Sequence, residues 1–155
     1  MKPLETTVEE VLRKAIQSEI ETRVYFQKMA ERAGSPEVRN RMQQLADAEL
    51  VHRAKLERRY RDRIGKPAPE PEEVRIDLPP ELVNLDMAHA LKHALERERD
   101  SESYFRFMAE RVPPESDLGK LFWELAETEW KHKTDLQAEY DRTVSDRPDQ
   151  FLLDM

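Results

Sequence analysis

The sequence predicts an all-α protein, an antiparallel four-helix bundle made of two duplicated helical hairpins joined by a long crossover linker. Three observations carry this. Charged residues make up 38% of the 155 positions and glycine only three, a mix that favours long solvated helices over sheet. Internal prolines fall at only three places. The two halves of the chain repeat each other.

The breaks define the elements in order. Gly34-Ser35-Pro36 reads as a helix stop, an N-cap serine and a proline at the first helical position. Five of the ten prolines (Pro67, Pro69, Pro71, Pro79, Pro80) lie between residues 66 and 80. Proline inside a helix costs about 3 kcal/mol, so this stretch is a linker. Pro113-Pro114 makes the third break. Four helices follow, at about 7–33, 36–62, 85–112 and 115–143, with Asn84 or Asp86 as the cap of the third. They group as hairpin 7–62, linker 63–84, hairpin 85–143 and tail 144–155, within one domain spanning 1–155. Short turns make each hairpin antiparallel. The linker is far longer than a turn needs, and a dozen extended residues cross the length of a 24-residue helix, about 36 Å. It can therefore run along the bundle and start the third helix from the far end.

The repeat is specific. A shift of 79 residues lays Ala15, Glu19, Tyr25, Phe26, Met29, Ala30, Glu31 and Arg32 onto Ala94, Glu98, Tyr104, Phe105, Met108, Ala109, Glu110 and Arg111. A shift of 80 lays Leu45, Ala46, Glu49, His52 and Leu56 onto Leu125, Ala126, Glu129, His132 and Leu136. The second interhelical turn thus holds one extra residue.

Composition narrows the function. The net charge is -7 with both signs interleaved, which is a solvated surface and not the clustered basic face of a nucleic-acid binder. With no cysteine, disulfides, thiolate catalysis and cysteine-ligated metals are excluded. The opening residues Met1-Lys2-Pro3-Leu4-Glu5 contain no apolar stretch of the signal-peptide kind, and no segment approaches the ~20 apolar residues of a membrane span. A cytoplasmic protein is the expectation.

The inward stripes step by three and four residues, as a packed seam does. They run Leu12, Ala15, Glu19, Thr22, Phe26, Met29 in the first helix and Met42, Leu45, Glu49, His52, Leu56 in the second. The third gives Leu91, Ala94, Glu98, Ser101, Phe105, Met108, and the fourth Phe122, Leu125, Glu129, His132, Leu136. Each is apolar except near its middle, where each carries a glutamate and two add a histidine three residues on. An unpaired buried carboxylate costs several kcal/mol, and converging carboxylates repel. A whole domain is stable by only about 5–15 kcal/mol. Two divalent cations balance four glutamates, while neutral imidazoles donate ring nitrogens. Glu-x-x-His turns through about 300° of helix, so both side chains point the same way. Imidazole with carboxylate suits iron, manganese or zinc. One Glu-x-x-His is a weak motif, but here it occurs twice at equivalent repeat positions.

Glu19, Glu49-x-x-His52, Glu98 and Glu129-x-x-His132 together resemble the ligand set of the di-iron carboxylate proteins of the ferritin-like superfamily. Within that group the chain is similar to the rubrerythrin-type domain over about residues 8–142. The resemblance implies a ferritin-like bundle with Glu19, Glu49, His52, Glu98, Glu129 and His132 as metal ligands. It implies two metal ions as cofactors, iron first, with manganese or zinc as alternatives. Three departures stand out. With no cysteine there is no rubredoxin-like tail and no built-in electron relay. Ser101 stands where rubrerythrins have an additional ligand glutamate. Phe26 and Phe105 stand where they have tyrosine beside the metals, with Tyr25 and Tyr104 one residue earlier and about 100° around the helix.

The function expected on this basis is a di-iron oxidoreductase, peroxidase- or ferroxidase-like, taking peroxide or dioxygen and electrons from a separate donor. Iron oxidation for detoxification or storage is the alternative, and a helical bundle with a structural di-metal site the third. A homo-oligomer is expected, a dimer in the first place, with no nucleic-acid or membrane partner. Other candidates carry less weight. His89 and His93, four apart, form a second metal-pair candidate. Met29, Met108, Phe122, Trp123 and Trp130 read as packing, while Phe26 and Phe105 also offer the metals a dry wall. Asp47, Glu127 and Asp135 are candidate partners for the ligand histidines. Glu102 is a spare ligand in principle, but its counterpart Arg23 argues for the surface. The tail ends in the apolar Phe151-Leu152-Leu153, a candidate docking segment for a second subunit.

Overall fold

The computed structural model describes residues 7–146. Four helices account for most of them: α1 Val8–Glu31, α2 Pro36–Ile64, α3 Met87–Ala109 and α4 Asp117–Asp146. No strand occurs among the described residues. α1 packs on α2 and α3 on α4, so the two hairpins form as the sequence predicts. No helix is long and apolar enough to cross a membrane. The candidate docking segment of the tail lies outside the described residues.

Among the described residues, 7–85 form one compact unit and 86–146 another. In the first, the Thr7 hydroxyl caps α1 by accepting the Glu10 N–H at 3.1 Å. Ser35 caps α2 by accepting the Val38 N–H at 3.2 Å, with Pro36 at the first helical position. A cap of this kind contributes about 1 kcal/mol. Gly65 ends α2 in the left-handed region, φ 87°, and donates its N–H to the Arg61 carbonyl at 2.8 Å. Leu12, Ala15, Phe26 and Met42 are buried, as the stripe requires, but Leu45 and Leu56 are only half-buried, and Ala46, one residue out of the predicted stripe, is buried. Each large apolar side chain removed from water contributes roughly 1.5–3 kcal/mol. Tyr60, near the end of α2, is fully buried. Burial pushes its hydroxyl above the usual range, and so does Glu9 beside it in the first turn of α1. That contact joins the start of one helix to the end of the other, as an antiparallel pair demands.

The linker lies along α1. The Gln17 amide holds Glu72 at both its backbone groups, donating to the carbonyl at 3.4 Å and accepting the N–H at 3.2 Å. Further on, Lys28 donates to the Ile76 carbonyl. Arg32 donates to the carbonyls of Leu78 and Pro79 at 3.3 and 2.9 Å. Linker numbers rise with α1 numbers, so the chain travels back along the hairpin, as the crossover expectation has it. Leu78 and Leu82 are buried. Asn84, φ 54°, donates its N–H to the Arg32 carbonyl at 3.0 Å, beside Gly34.

In the second unit it is Asp86, and not Asn84, that caps α3, accepting the His89 N–H at 2.9 Å. Leu91, Ala94, Phe105, Phe122 and Leu136 are buried. Ser116 opens α4, accepting the Gly119 N–H at 3.0 Å and donating its hydroxyl to the Pro113 carbonyl at 2.6 Å. Gly119 is required there, because a Cβ would collide with that same carbonyl.

Candidate functional site

Each hairpin carries a cluster of two carboxylates and one imidazole. In the first, Glu19 of α1 meets Glu49 and His52 of α2; in the second, Glu98 of α3 meets Glu129 and His132 of α4. One ligand atom from each residue lies within 4.8 Å of the others in its cluster. His52 Nδ1 is 3.3 Å from Glu49 Oε2 and 3.6 Å from Glu19 Oε2. His132 Nδ1 is 3.6 Å from Glu129 Oε2 and 3.8 Å from Glu98 Oε2. The two triads therefore repeat in space as their residues repeat in sequence. All six predicted ligands fall into them.

The electrostatics of the second triad explain what it needs. Burial pushes the Glu98 carboxyl up to about 8, and the neighbouring Glu129 adds to this. Burial works against the His132 cation, but Glu129 and Glu98 outweigh it and hold the imidazolium up to about 10. Protons are thus what balances this cluster near neutral pH. A divalent cation can take their place, with the same two carboxylates supplying charge and the imidazole a neutral nitrogen. The donor set is hard oxygen plus imidazole, which fits iron, manganese or zinc.

The surroundings differ from expectation at several points. Glu102 is not on the surface: it is buried, and its two oxygens accept from Lys133 Nζ at 2.9 and 3.2 Å. The comparison with Arg23 misleads because the facing residue on α4 is a cation that neutralises Glu102. Ser101 is half-buried and donates its hydroxyl to the Arg97 carbonyl at 3.4 Å. The α3 seam therefore runs Glu98, Glu102, Phe105, Ala109. Trp123 and Trp130, read as packing, are exposed at 41% and 45%. They lie seven residues apart, on the face of α4 away from Phe122 and Leu125. Phe26, Met29, Phe105 and Phe122 are buried as expected, while Met108 is only half-buried. Tyr104 is exposed and packs edge-on against Phe105 at 5.3 Å between ring centroids.

Asp47, Glu127 and Asp135 do not serve the histidines. All three are exposed; Asp47 accepts from the Gln43 amide at 3.0 Å and Glu127 pairs with Lys131 at 3.6 Å. His89 and His93 do not converge on one site either. His89 Nδ1 lies 2.7 Å from Asp86 and His93 Nδ1 3.6 Å from Glu96, each with the carboxylate three residues away.

Four antiparallel-paired helices, with a Glu/Glu/His triad in each hairpin, define the class of helical bundles whose carboxylate–histidine clusters could hold metal ions. The rubrerythrin family model matches residues 10–140, nearly the whole chain. The chain belongs to the rubrerythrin family, a ferritin-like family. No curated protein and no solved structure matches it.

Proposed function

We propose that the chain is a di-iron carboxylate oxidoreductase that binds one iron ion at each triad and reacts with peroxide or dioxygen, drawing electrons from a separate donor. The observation that carries this reading is the exact doubling of the triad, since a chance surface cluster has no reason to recur at repeat positions in two buried seams. Family membership supports iron and supports two ions acting as a pair. Bound iron would supply the electron transfer.

The protein's own part is binding, orientation and proton handling. Glu19 and Glu49 bring two negative charges to a first ion, Glu98 and Glu129 two to a second. His52 and His132 each complete a triad with a nitrogen whose orientation is fixed by its helix. Glu98 and His132 hold protons in the metal-free state and surrender them on metal binding. Buried Phe26 and Phe105, one heptad beyond Glu19 and Glu98, keep water from that side of each helix seam.

The test is reconstitution with ferrous iron under anaerobic conditions. We expect two iron ions per chain, one per chain in Glu49→Ala and in Glu129→Ala, and rapid oxidation by near-stoichiometric peroxide. Two ions retained in the Glu49→Ala, Glu129→Ala double variant would sink the ligand assignment. Turnover of many ferrous ions per site without a donor would point to iron handling instead.

A further inference from the structure

The two hairpins share their ligands but not the residues one turn beyond them. The repeat shifts carry Glu102 onto Arg23 and Lys133 onto Arg53. In the second hairpin these positions face each other across α3 and α4 as a closed ion pair, 2.9 Å apart. The cross-helix register is the same in the first, because His52 approaches Glu19 at 3.6 Å as His132 approaches Glu98 at 3.8 Å. There the facing positions hold two arginines. The Nε atoms of Arg23 and Arg53 are both shut off from solvent without a hydrogen-bond acceptor among the described residues. The Arg53 guanidinium has one carboxylate nearby, Glu57, 3.3 Å from Nε and on its own helix.

Two guanidinium groups that the register sets at facing positions, each with a buried Nε that lacks an acceptor, are unfavourable on two counts. Like charges repel more strongly away from bulk water. A buried donor without an acceptor also loses its hydration without recompense. An oxyanion removes both penalties at once, since the guanidinium fork matches paired oxygens of phosphate or carboxylate. The placement of charge points the same way. In the second hairpin Glu102 answers Lys133 across the helix pair, whereas in the first Arg53 meets Glu57 of its own helix and Arg23 adds a second cation at the cross-helix position.

We propose that Arg23 and Arg53 form a binding site for one small oxyanion, of the phosphate or carboxylate type, about one helical turn from the first triad and absent from the second. The site makes the two metal positions chemically unequal: an anionic reactant or co-ligand is drawn to the first hairpin alone. The arginine pair exists with or without metal, so the site stands apart from the iron reading.

The experiment is isothermal titration of inorganic phosphate into the metal-loaded full-length chain at low ionic strength, with metal content measured on the same samples. One phosphate per chain is expected. Arg53→Gln should weaken binding at least tenfold. Arg23→Glu recreates the Glu102–Lys133 arrangement beside Arg53, so it should keep the fold and abolish binding. A chain that takes up metal but no phosphate overturns the proposal and leaves the iron reading intact. Phosphate binding that survives Arg23→Glu also overturns it, because the anion then sits on the metal or elsewhere. A chain without metal that binds phosphate through both arginines supports it.

Discussion

Lys133→Ala should be the most damaging single change at the buried ion pair, and more damaging than Glu102→Ala. The Glu102 side chain is 7% exposed and that of Lys133 is 25% exposed. Removing the lysine strands a carboxylate that cannot reach water. Its remaining partner is Arg106 at 3.5 Å, itself half exposed. Breaking a buried pair by removing one member costs about 3–5 kcal/mol, and Arg106 places this case near the lower end, about 3 kcal/mol. Removing the glutamate strands an ammonium on a flexible stem that can turn outward, so about 1–2 kcal/mol is expected. For a chain of this size the lysine variant should melt about 6–12 °C lower. Replacing both partners with apolar residues, Glu102→Leu with Lys133→Met, should return stability to within about 1 kcal/mol of the parent. Urea unfolding followed by helical circular dichroism, on metal-free protein at pH 7, compares the parent with the three variants. Equal losses in the two single variants, or a double variant no better than Lys133→Ala, would refute the reasoning.

The second triad gives the metal-free protein a pH dependence. Glu98 titrates at about 8 when folded against 4.5 when unfolded, and His132 at about 10 against 6.5. Both groups therefore hold extra protons in the folded state. The Glu98 contribution is complete below 4.5 and lost as pH rises through 8; the His132 contribution is complete below 6.5 and lost through 10. The melting temperature of chelator-treated protein should fall with rising pH, most steeply between 6.5 and 8 where both groups act. Added ferrous iron should flatten the fall, and a metal-free melting temperature that rises across that window would contradict the assignment. Gly119→Ala should destabilise by about 1–3 kcal/mol through the collision with the Pro113 carbonyl. Chemical denaturation tests this, and an unchanged midpoint would show that the 113–116 turn yields freely.

Much of this architecture was legible because the chain says it twice. The breaks at Gly34-Ser35-Pro36 and Pro113-Pro114 and the proline-rich linker follow from the residues alone, and the six residues of the two triads from the repeat together with the family resemblance. The repeat also misled where the halves diverge. Arg23 suggested an exposed Glu102, since a repeat shows which positions correspond but not which partner faces each. Only the cross-helix register reveals that Lys133 answers Glu102 across the hairpin, whereas the carboxylate beside Arg53 is Glu57 of its own helix. Trp123 and Trp130 failed as core residues because size and hydrophobicity do not fix helical phase; Phe122 and Leu125 already fill the inward face. The path of the linker was readable, but its attachment was not. Gln17, Lys28 and Arg32 fasten it through backbone carbonyls, which every residue type offers alike.

That attachment bears on how the linker can evolve. Gln17, Lys28 and Arg32 grip Glu72, Ile76, Leu78 and Pro79 by main-chain groups only. Among the linker side chains, burial singles out Leu78 and Leu82. Selection should therefore weigh on Gln17 and Lys28 of α1, on Arg32 at its C-cap and on two leucines of the linker, while most other positions from 66 to 84 drift. The crossover can change its composition almost entirely and still retrace the same path, because its address is written on the helix it follows.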